Sequence, residues 1–346
     1  MRSSRAGILT AGDGPIQRPP RRPPPGAPKD GIVLSFEVPR ELEGLRLDRF
    51  VQSRIPRLSR TRANEIVRAC AYHEDGRRRR PAERVRYGET VIIVRPSFEE
   101  PTVPTRFGIV HEDDAMLVVD KPAGLPVHPS ASYHKNTLTF LLRERYPDAT
   151  PHLVHRLDRE TSGVLVCAKT LEDERELKGR FERREVHKTY LAIVEGLVDP
   201  SVERIELAMG RATEGLHLLM EVRADGLPAR TDVRVVAHAH AHTMLALSPH
   251  TGRQHQLRVH LSAIGHPIVA DKLYGPEGPA PFLEYIELGG TLSAPLEAKL
   301  GHTRQALHAH RIELTHPRTA ATIELAAPLA DDLRALWARL GGQPLD

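Results

Sequence analysis

LVHRLDRETSGVLVCAK, residues Leu153 to Lys169, decides how the rest of the chain is read. An apolar pair leads into His155, Arg156, Leu157 and Asp158, and a second apolar run, Val164 to Ala168, begins after Gly163. Two strand-like pieces therefore flank a polar connection that no core requires, and a loop held between strands is where a fold places reactive groups. Asp158 stands between Arg156 and Arg159 in sequence, so its carboxyl is expected to be ionised at neutral pH. It is then available as a nucleophile or base beside cations that attract phosphate. Without chemistry, the same string reads as a tight turn that uses Asp158 as a cap and Gly163 for its backbone freedom.

The string HRLDRETSG resembles the HRLDxxTSG signature of the RluA-type pseudouridine synthases. The resemblance implies that Asp158 is the catalytic aspartate and that Arg156 helps to displace the target base from its stack. A second match lies in HKTYLAIVEG, where Lys188 and Tyr190 share strand parity and Leu191 and Ile193 lie on the neighbouring face. Alone, that tyrosine reads as sheet filler. The family pattern K-x-Y-x-A-x-V-x-G, with its tyrosine on the target uracil, falls on Lys188, Tyr190, Ala192, Val194 and Gly196. Tyr190 is thereby implied in the catalytic set and Lys188 in substrate binding, and an aromatic face suits a displaced base.

GRQHQLRVH, Gly252 to His260, is similar to the family's GRxHQ(I/L)RxH. From it Arg253 is expected to pair with Asp158, and Leu257 to pack against the target ribose or base. A fixed guanidinium holds a carboxylate both ionised and aimed. DKPAGLPVHPS resembles (N/D)KPxGxxVHP, and its Lys121 and His128 are read as ordering the loop. GHPIVADKLYG, and an RxxLHAxxLxxxHP ending that falls on Arg304, Leu307, His308, Ala309, His316 and Pro317, continue the match.

At 346 residues the chain accommodates a catalytic unit and a small appended module. A formal charge of +4 is only mildly basic, so local placement of charge must carry any nucleic-acid argument. Cys70 and Cys167 lie far apart beside apolar neighbours and read as reduced, buried thiols. No apolar run is long enough to span a bilayer, and MRSSRAGILTAGDG lacks a hydrophobic signal segment, so a cytoplasmic protein is expected.

In order, residues 1–31 contain QRPPRRPPPGAPKDG and read as a disordered tail. Residues 32–95 read as a compact unit. Leu47, Phe50 and Val51 recur at helical spacing, Ser59 precedes a second stripe of Ala63, Ile66 and Val67, and Val91 to Val94 is a strand. LRLDRFV, SRTRANEIVR and RVRYGETVIIV make this unit similar to an S4-type RNA-binding module. Arg57, Arg60, Arg62 and Arg68 on or near its second helix, with the run Arg77 to Arg80, are the expected phosphate contacts.

Prolines at 96, 101 and 104 predict a linker over 96–108, with domain motion about it. The catalytic unit is expected over 109–340. Within it, Thr170 to Glu185 predicts a surface helix interrupted by Gly179. His250, His255, His260 and His266 lack metal-ligand spacing and are not read as a metal site. Residues 277–301 match nothing and read as an insertion or variable loop, and DDLRALWARL as a capping helix with Leu333, Leu336 and Trp337 inward.

The expected fold is α/β, a curved mixed, mostly antiparallel sheet with helices on its outer faces, plus the small N-terminal S4-like domain. The implied reaction is isomerisation of uridine to pseudouridine in RNA, which moves no electrons to an acceptor and transfers no external group; no cofactor or metal is expected. An S4-like module ahead of such a unit implies large-subunit ribosomal RNA or its assembly precursor as partner, no membrane, and a monomer. Transfer RNA is the alternative target, and a non-catalytic RNA-binding assembly protein the alternative class. A glycosidase would need a second carboxyl, and Glu160 is a neighbour in the loop without a demonstrated partnership.

Overall fold

A computed structural model describes residues 22–55, 58–95, 100–130, 133–216 and 218–344. The chain divides into two units, Met1–Glu99 and Glu100–Asp346. In the first, β1 (Ile32–Glu37), α1 (Leu47–Arg54), α2 (Arg60–Cys70), β2 (Ala71–Tyr72) and β3 (Thr90–Arg95) follow one another, and the strands pair in the order β1-β3-β2. Ser59 accepts the Arg62 N–H at 3.2 Å, satisfying one of the donors that a helix start leaves open. Leu47, Phe50, Val51 and Val67 pack with Val91 and Ile93 on one face of the sheet.

Ile92 and Val94, of opposite parity, need cover on the other face. Ala27 supplies it beside Tyr72, and Pro24 is buried, so part of residues 22–31 packs where the sequence predicts a tail. Residues 1–21 of that tail lie outside the described residues. The basic run is also spent differently from expectation. Arg79 is buried between Glu83 at 3.1 Å and Glu89 at 3.2 Å, Arg77 pairs with Asp75 at 2.7 Å, and Arg78 donates to the carbonyls of Arg68 and Ala69. Arg60, Arg62 and Arg68 are exposed on α2, while Arg57 lies outside the described residues.

The second unit carries β4 (Gly108–Glu112), β5 (Met116–Lys121), α3 (Leu138–Arg145), β6 (His152–Leu153), β7 (Ser162–Ala168), α4 (Leu171–Glu182), β8 (His187–Glu195), β9 (Arg204–Glu206), β10 (Met209–Arg211), β11 (Met220–Val222), β12 (Arg230–Ala239), β13 (His242–Pro249), α5 (Gln256–Ala263), α6 (Ala280–Glu287), α7 (Ala294–Leu300), β14 (Leu307–Thr315), β15 (Thr322–Ala326) and α8 (Asp331–Arg339). Its main sheet runs β4-β5-β7-β14-β8-β13-β12-β9, with β15 on β14 and β6 on β7. The pairings are antiparallel except β7 with β14. The expected α/β class with a mostly antiparallel mixed sheet is therefore what forms.

The strands β5 and β7 are buried on both faces and alternate accordingly. Leu117, Val119, Leu165 and Cys167 pack against Leu138 and Leu142 of α3, whereas Met116, Val118, Val164 and Val166 pack with Leu177 of α4. That burial of Leu177 carries α4 unbroken through Gly179, although glycine costs about 1 kcal/mol in a helix interior. On α8, Leu333, Leu336 and Trp337 are buried as expected.

The connection expected to be mobile over 96–108 is largely part of this unit. The Glu100 carboxylate accepts the N–H groups of Lys135 and Asn136 at 2.8 and 2.7 Å, and Val103 joins the core of β5 and β7. Residues 96–99 lie outside the described residues. The stretch 277–301, read as a loop, forms α6 and α7 instead. Ser293 caps α7 by accepting the Leu296 N–H, and Gly301 at φ 71° ends it. No described helix is long and apolar enough to cross a membrane.

One glycine sets the strand spacing at the site. Gly163 has φ 106°, and a Cβ there would lie 2.1 Å from the Ala309 carbonyl oxygen on β14. Ala309 in turn pairs with Tyr190 on β8, so β7, β14 and β8 bring the signature loop beside that tyrosine. We expect Gly163→Ala to cost about 3 kcal/mol or more. Urea denaturation measures this, and a wild-type midpoint would contradict the close β7–β14 contact.

Candidate active site

The antiparallel pairing of β6 with β7 makes residues 154–161 a loop between strands, as the sequence predicts. Its backbone is tied down from several elements. The Arg159 carbonyl accepts from Gly124 N–H at 2.8 Å and from the Lys121 ammonium at 3.1 Å. Arg304 donates to the Glu160 carbonyl at 3.0 Å, and Gln305 to the Thr161 hydroxyl at 2.8 Å. Lys121 is fully buried and also donates to the carbonyls of Pro122 and Leu125, so it orders the loop as expected. Burial, then the neighbouring charge of Arg304, brings its ammonium down to about 7. His155 accepts the Val166 N–H through Nε2 and stacks on Phe181, and burial pushes it down to about 3, which keeps it neutral.

Asp158 lines a cavity of about 600 Å³ shared with Arg156, Lys188, Tyr190, Arg253, His255, Leu257 and Arg258. The partner of its carboxylate is Arg258, whose Nη1 lies 2.9 Å from Oδ2. The ion pair expected at Arg253 is therefore made five residues later. Arg253 sits in the irregular segment before α5 and donates weakly to the Pro228 carbonyl at 3.4 Å. His255, in the left-handed conformation at φ 56°, starts α5 at Gln256, and that phase carries Arg258 on the first turn to Asp158. The rest of the Arg258 fork is held by buried Asp271, Nε to Oδ2 at 2.6 Å and Nη2 to Oδ1 at 2.8 Å.

Burial pushes the Asp158 carboxyl up, but the charge and hydrogen bond of Arg258, together with His255 and Arg156, more than offset this and hold it below the ordinary carboxylate range. Its side chain is 23% exposed, open to the cavity. Burial, reinforced by the Asp158 charge, pushes the Tyr190 phenol well up, so it stays neutral. Lys188 is lowered by burial and lies over the Phe181 ring. Arg156 is exposed at the rim and Leu257 is buried in the wall. Glu160 is consumed by Lys272 at 3.0 Å and Arg159 at 3.0 Å, which leaves it unsuited to a second acid role.

The four histidines considered for metal binding are engaged separately. His250 meets Asp232, His255 meets Tyr274, His260 meets Thr231 and the Leu207 carbonyl, and His266 meets the Glu195 carbonyl. Sequence reasoning assigned no role to Asp271, Lys272, Tyr274 or Tyr285, although the first three lie in the recognised GHPIVADKLYG stretch. Tyr285, from the unmatched segment, accepts from Arg159 at 2.9 Å; no signal in its own sequence pointed to that loop.

A mixed sheet that presents one ionised aspartate, one neutral phenol and several cations to a single open cavity defines an enzyme of carboxylate chemistry on an anionic, aromatic substrate. A model of the RNA pseudouridylate synthase family matches residues 115–263. Ribosomal large subunit pseudouridine synthase D of Neisseria meningitidis is 36% identical over 309 residues, 87% of this chain and 80% of that one. The protein of the same name from Xanthomonas campestris is 36% identical over 320 residues, 90% and 94% of the two chains. The solved structure of human RNA Pseudouridylate Synthase Domain Containing 4 has a TM-score of 0.53 at 28% identity, covering 67% of this chain and 92% of its own. The chain belongs to the RluA-type family of RNA pseudouridylate synthases, enzymes that isomerise uridine in RNA.

Proposed function

We propose that this chain makes pseudouridine in large-subunit ribosomal RNA, with Asp158 as its catalytic carboxylate. The observation that carries the reading is the Asp158–Arg258 pair at 2.9 Å, open to the cavity that Tyr190 also lines. The N1–C1′ bond breaks with its electron pair left on the base, the uracil turns, and C5 joins C1′; C5 then loses a proton and N1 gains one. Asp158 initiates cleavage either by attack on C1′ or by assisting a glycal route. Tyr190, kept neutral, offers its ring to the displaced uracil, with Leu257 in the wall and Arg156 and Lys188 toward the RNA. That the Neisseria meningitidis and Xanthomonas campestris relatives are ribosomal large subunit pseudouridine synthases supports ribosomal RNA over transfer RNA. Pseudouridine mapping of both RNA classes from cells with and without the protein is the test, and loss of a transfer RNA site alone would refute the ribosomal assignment.

The first unit, on this reading, is an S4-like module that positions RNA through phosphates, using Arg60, Arg62 and Arg68 on α2. Replacing all three by alanine should weaken binding to long structured RNA and flatten the slope of log affinity against log salt by roughly 2 to 3. Binding isotherms at several salt concentrations measure it; an unchanged slope would remove α2 from the interface. The protein would work as a monomer in the cytoplasm, where its two buried cysteines stay free thiols.

A further inference from the structure

Three side chains of one turn, Asp271, Lys272 and Tyr274, each hold a different group around Asp158. Asp271 grips two nitrogens of Arg258, leaving Nη1 for Asp158, and is itself fixed by the N–H groups of Leu273 and Tyr274 on Oδ1 at 2.9 and 3.0 Å. Lys272 holds both oxygens of Glu160, two residues beyond Asp158 in the signature loop. The Tyr274 hydroxyl lies 2.7 Å from His255 Nδ1, and the other ring nitrogen of His255 faces Asp158 Oδ2 at 3.9 Å.

We propose that this turn sets the reactive geometry, directing two donors at Oδ2 of Asp158 through Arg258 and His255 and leaving Oδ1 to act on the ribose. The inference rests on Asp158 being the catalytic carboxylate. Asp271 and Tyr274 are then positioning residues. Tyr274 Oη already accepts the Met220 N–H at 3.0 Å, so its own proton goes to His255 Nδ1. A neutral imidazole held in that way carries its remaining proton on Nε2, aimed at Asp158. Burial keeps the ring neutral by pushing it down to about 4.

At 3.9 Å the His255–Asp158 gap is longer than a hydrogen bond, so the ring's Nε2 proton acts on the carboxylate through space. His255 reaches this place by adopting φ 56°, a conformation that costs a non-glycine residue energy and persists only where its surroundings impose it. Among the described residues, Oδ1 of Asp158 has no hydrogen-bond or ion-pair partner, whereas Oδ2 has Arg258. Besides Arg258 of α5 and His255 at its start, the charged or titratable groups that bear on Asp158 are Arg156 in its own loop, Tyr190 of β8, Lys121 of β5 and Tyr274 of the turn itself. Those bearing on His255 are Asp158, Arg258, Asp271, Arg156 and Tyr274.

Tyr274→Phe tests this because it keeps the ring that lies 5.0 Å from the Arg258 guanidinium and removes only the hydroxyl. Nitrogen NMR of the full-length protein should show His255 protonated on Nε2 in the wild type and a mixture of tautomers in the variant. Single-turnover rates at saturating RNA should fall about tenfold, with dissociation constants within roughly twofold. The acid limb of the rate–pH profile should move to higher pH, because a donor that favours the carboxylate anion is lost. His255→Gln, which retains an N–H, should be more active than His255→Leu, and adding Tyr274→Phe to His255→Gln should cost little more. An Nδ1-protonated His255 in the wild type, or a slow Tyr274→Phe with an unmoved acid limb, would overturn the proposal. Should the wild type form no pseudouridine on any RNA, the functional reading fails separately and the assignment of Oδ1 to the ribose fails with it.

Discussion

Asp158→Asn is expected to abolish pseudouridine formation while leaving RNA affinity within roughly a factor of ten. Asparagine preserves the size of the side chain and can still place an oxygen near Arg258, so the loop and its ties through Lys121, Arg304 and Gln305 should survive. What disappears is the anion. A neutral amide neither attacks C1′ nor accepts a proton at a useful rate, and neither Glu160, bound by Lys272 and Arg159, nor Asp271, bound by Arg258, is free to take over. Turnover on ribosomal RNA fragments, with binding measured in parallel, checks the expectation. Product at near-wild-type rate would dismiss Asp158 as the reactive group.

The second large effect separates two arginines of one motif. Arg258→Met should slow the chemical step by about a hundredfold or more, because the charge that holds Asp158 ionised and aimed is lost. The sign of the pH effect follows from the balance at Asp158. Burial raises its carboxyl, and Arg258, with His255 and Arg156, together lower it further than burial raises it, so the active anion is present above this depressed value and lost as pH falls through it. Without Arg258 the value rises, and the acid limb of the single-turnover profile moves to higher pH. The variant also leaves Asp271 buried without its cation, a loss of about 3 to 5 kcal/mol for a broken buried pair, so its folding must be checked by denaturation. Arg258→Lys, which restores charge without the planar fork, should fall between methionine and wild type. Arg253→Met should change affinity and salt sensitivity more than the chemical step. The reverse ranking of Arg253 and Arg258 in single-turnover rate would overturn the assignment made from the geometry.

Much of this protein was legible because local rules and global packing agree. The alternation in β5 and β7, the helical stripes of α1 and α2, and the cap at Ser59 depend on residues a few places apart, and so does the strand–loop–strand frame around Asp158. The signature string sufficed for the reaction family, since its residues lie together in that one loop. Other features depended on contacts that no local pattern encodes. The Asp158 partner hinged on the phase of α5, and that phase is set by a left-handed His255 held between Tyr274 and the cavity. Residues 22–31 look solvated by composition, yet Ile92 and Val94 on the far face of their sheet demanded cover. Lys272, Tyr274 and Tyr285 reach the loop or its neighbours from segments 19 to 126 residues away along the chain. Sequence by itself therefore determined most of the elements, the family and the carboxylate proposed as reactive, because these are written in short-range patterns. Only the tertiary structure decided which guanidinium pairs with Asp158 and which turn supports it, because ion pairs between distant segments are chosen by the packing that brings those segments together.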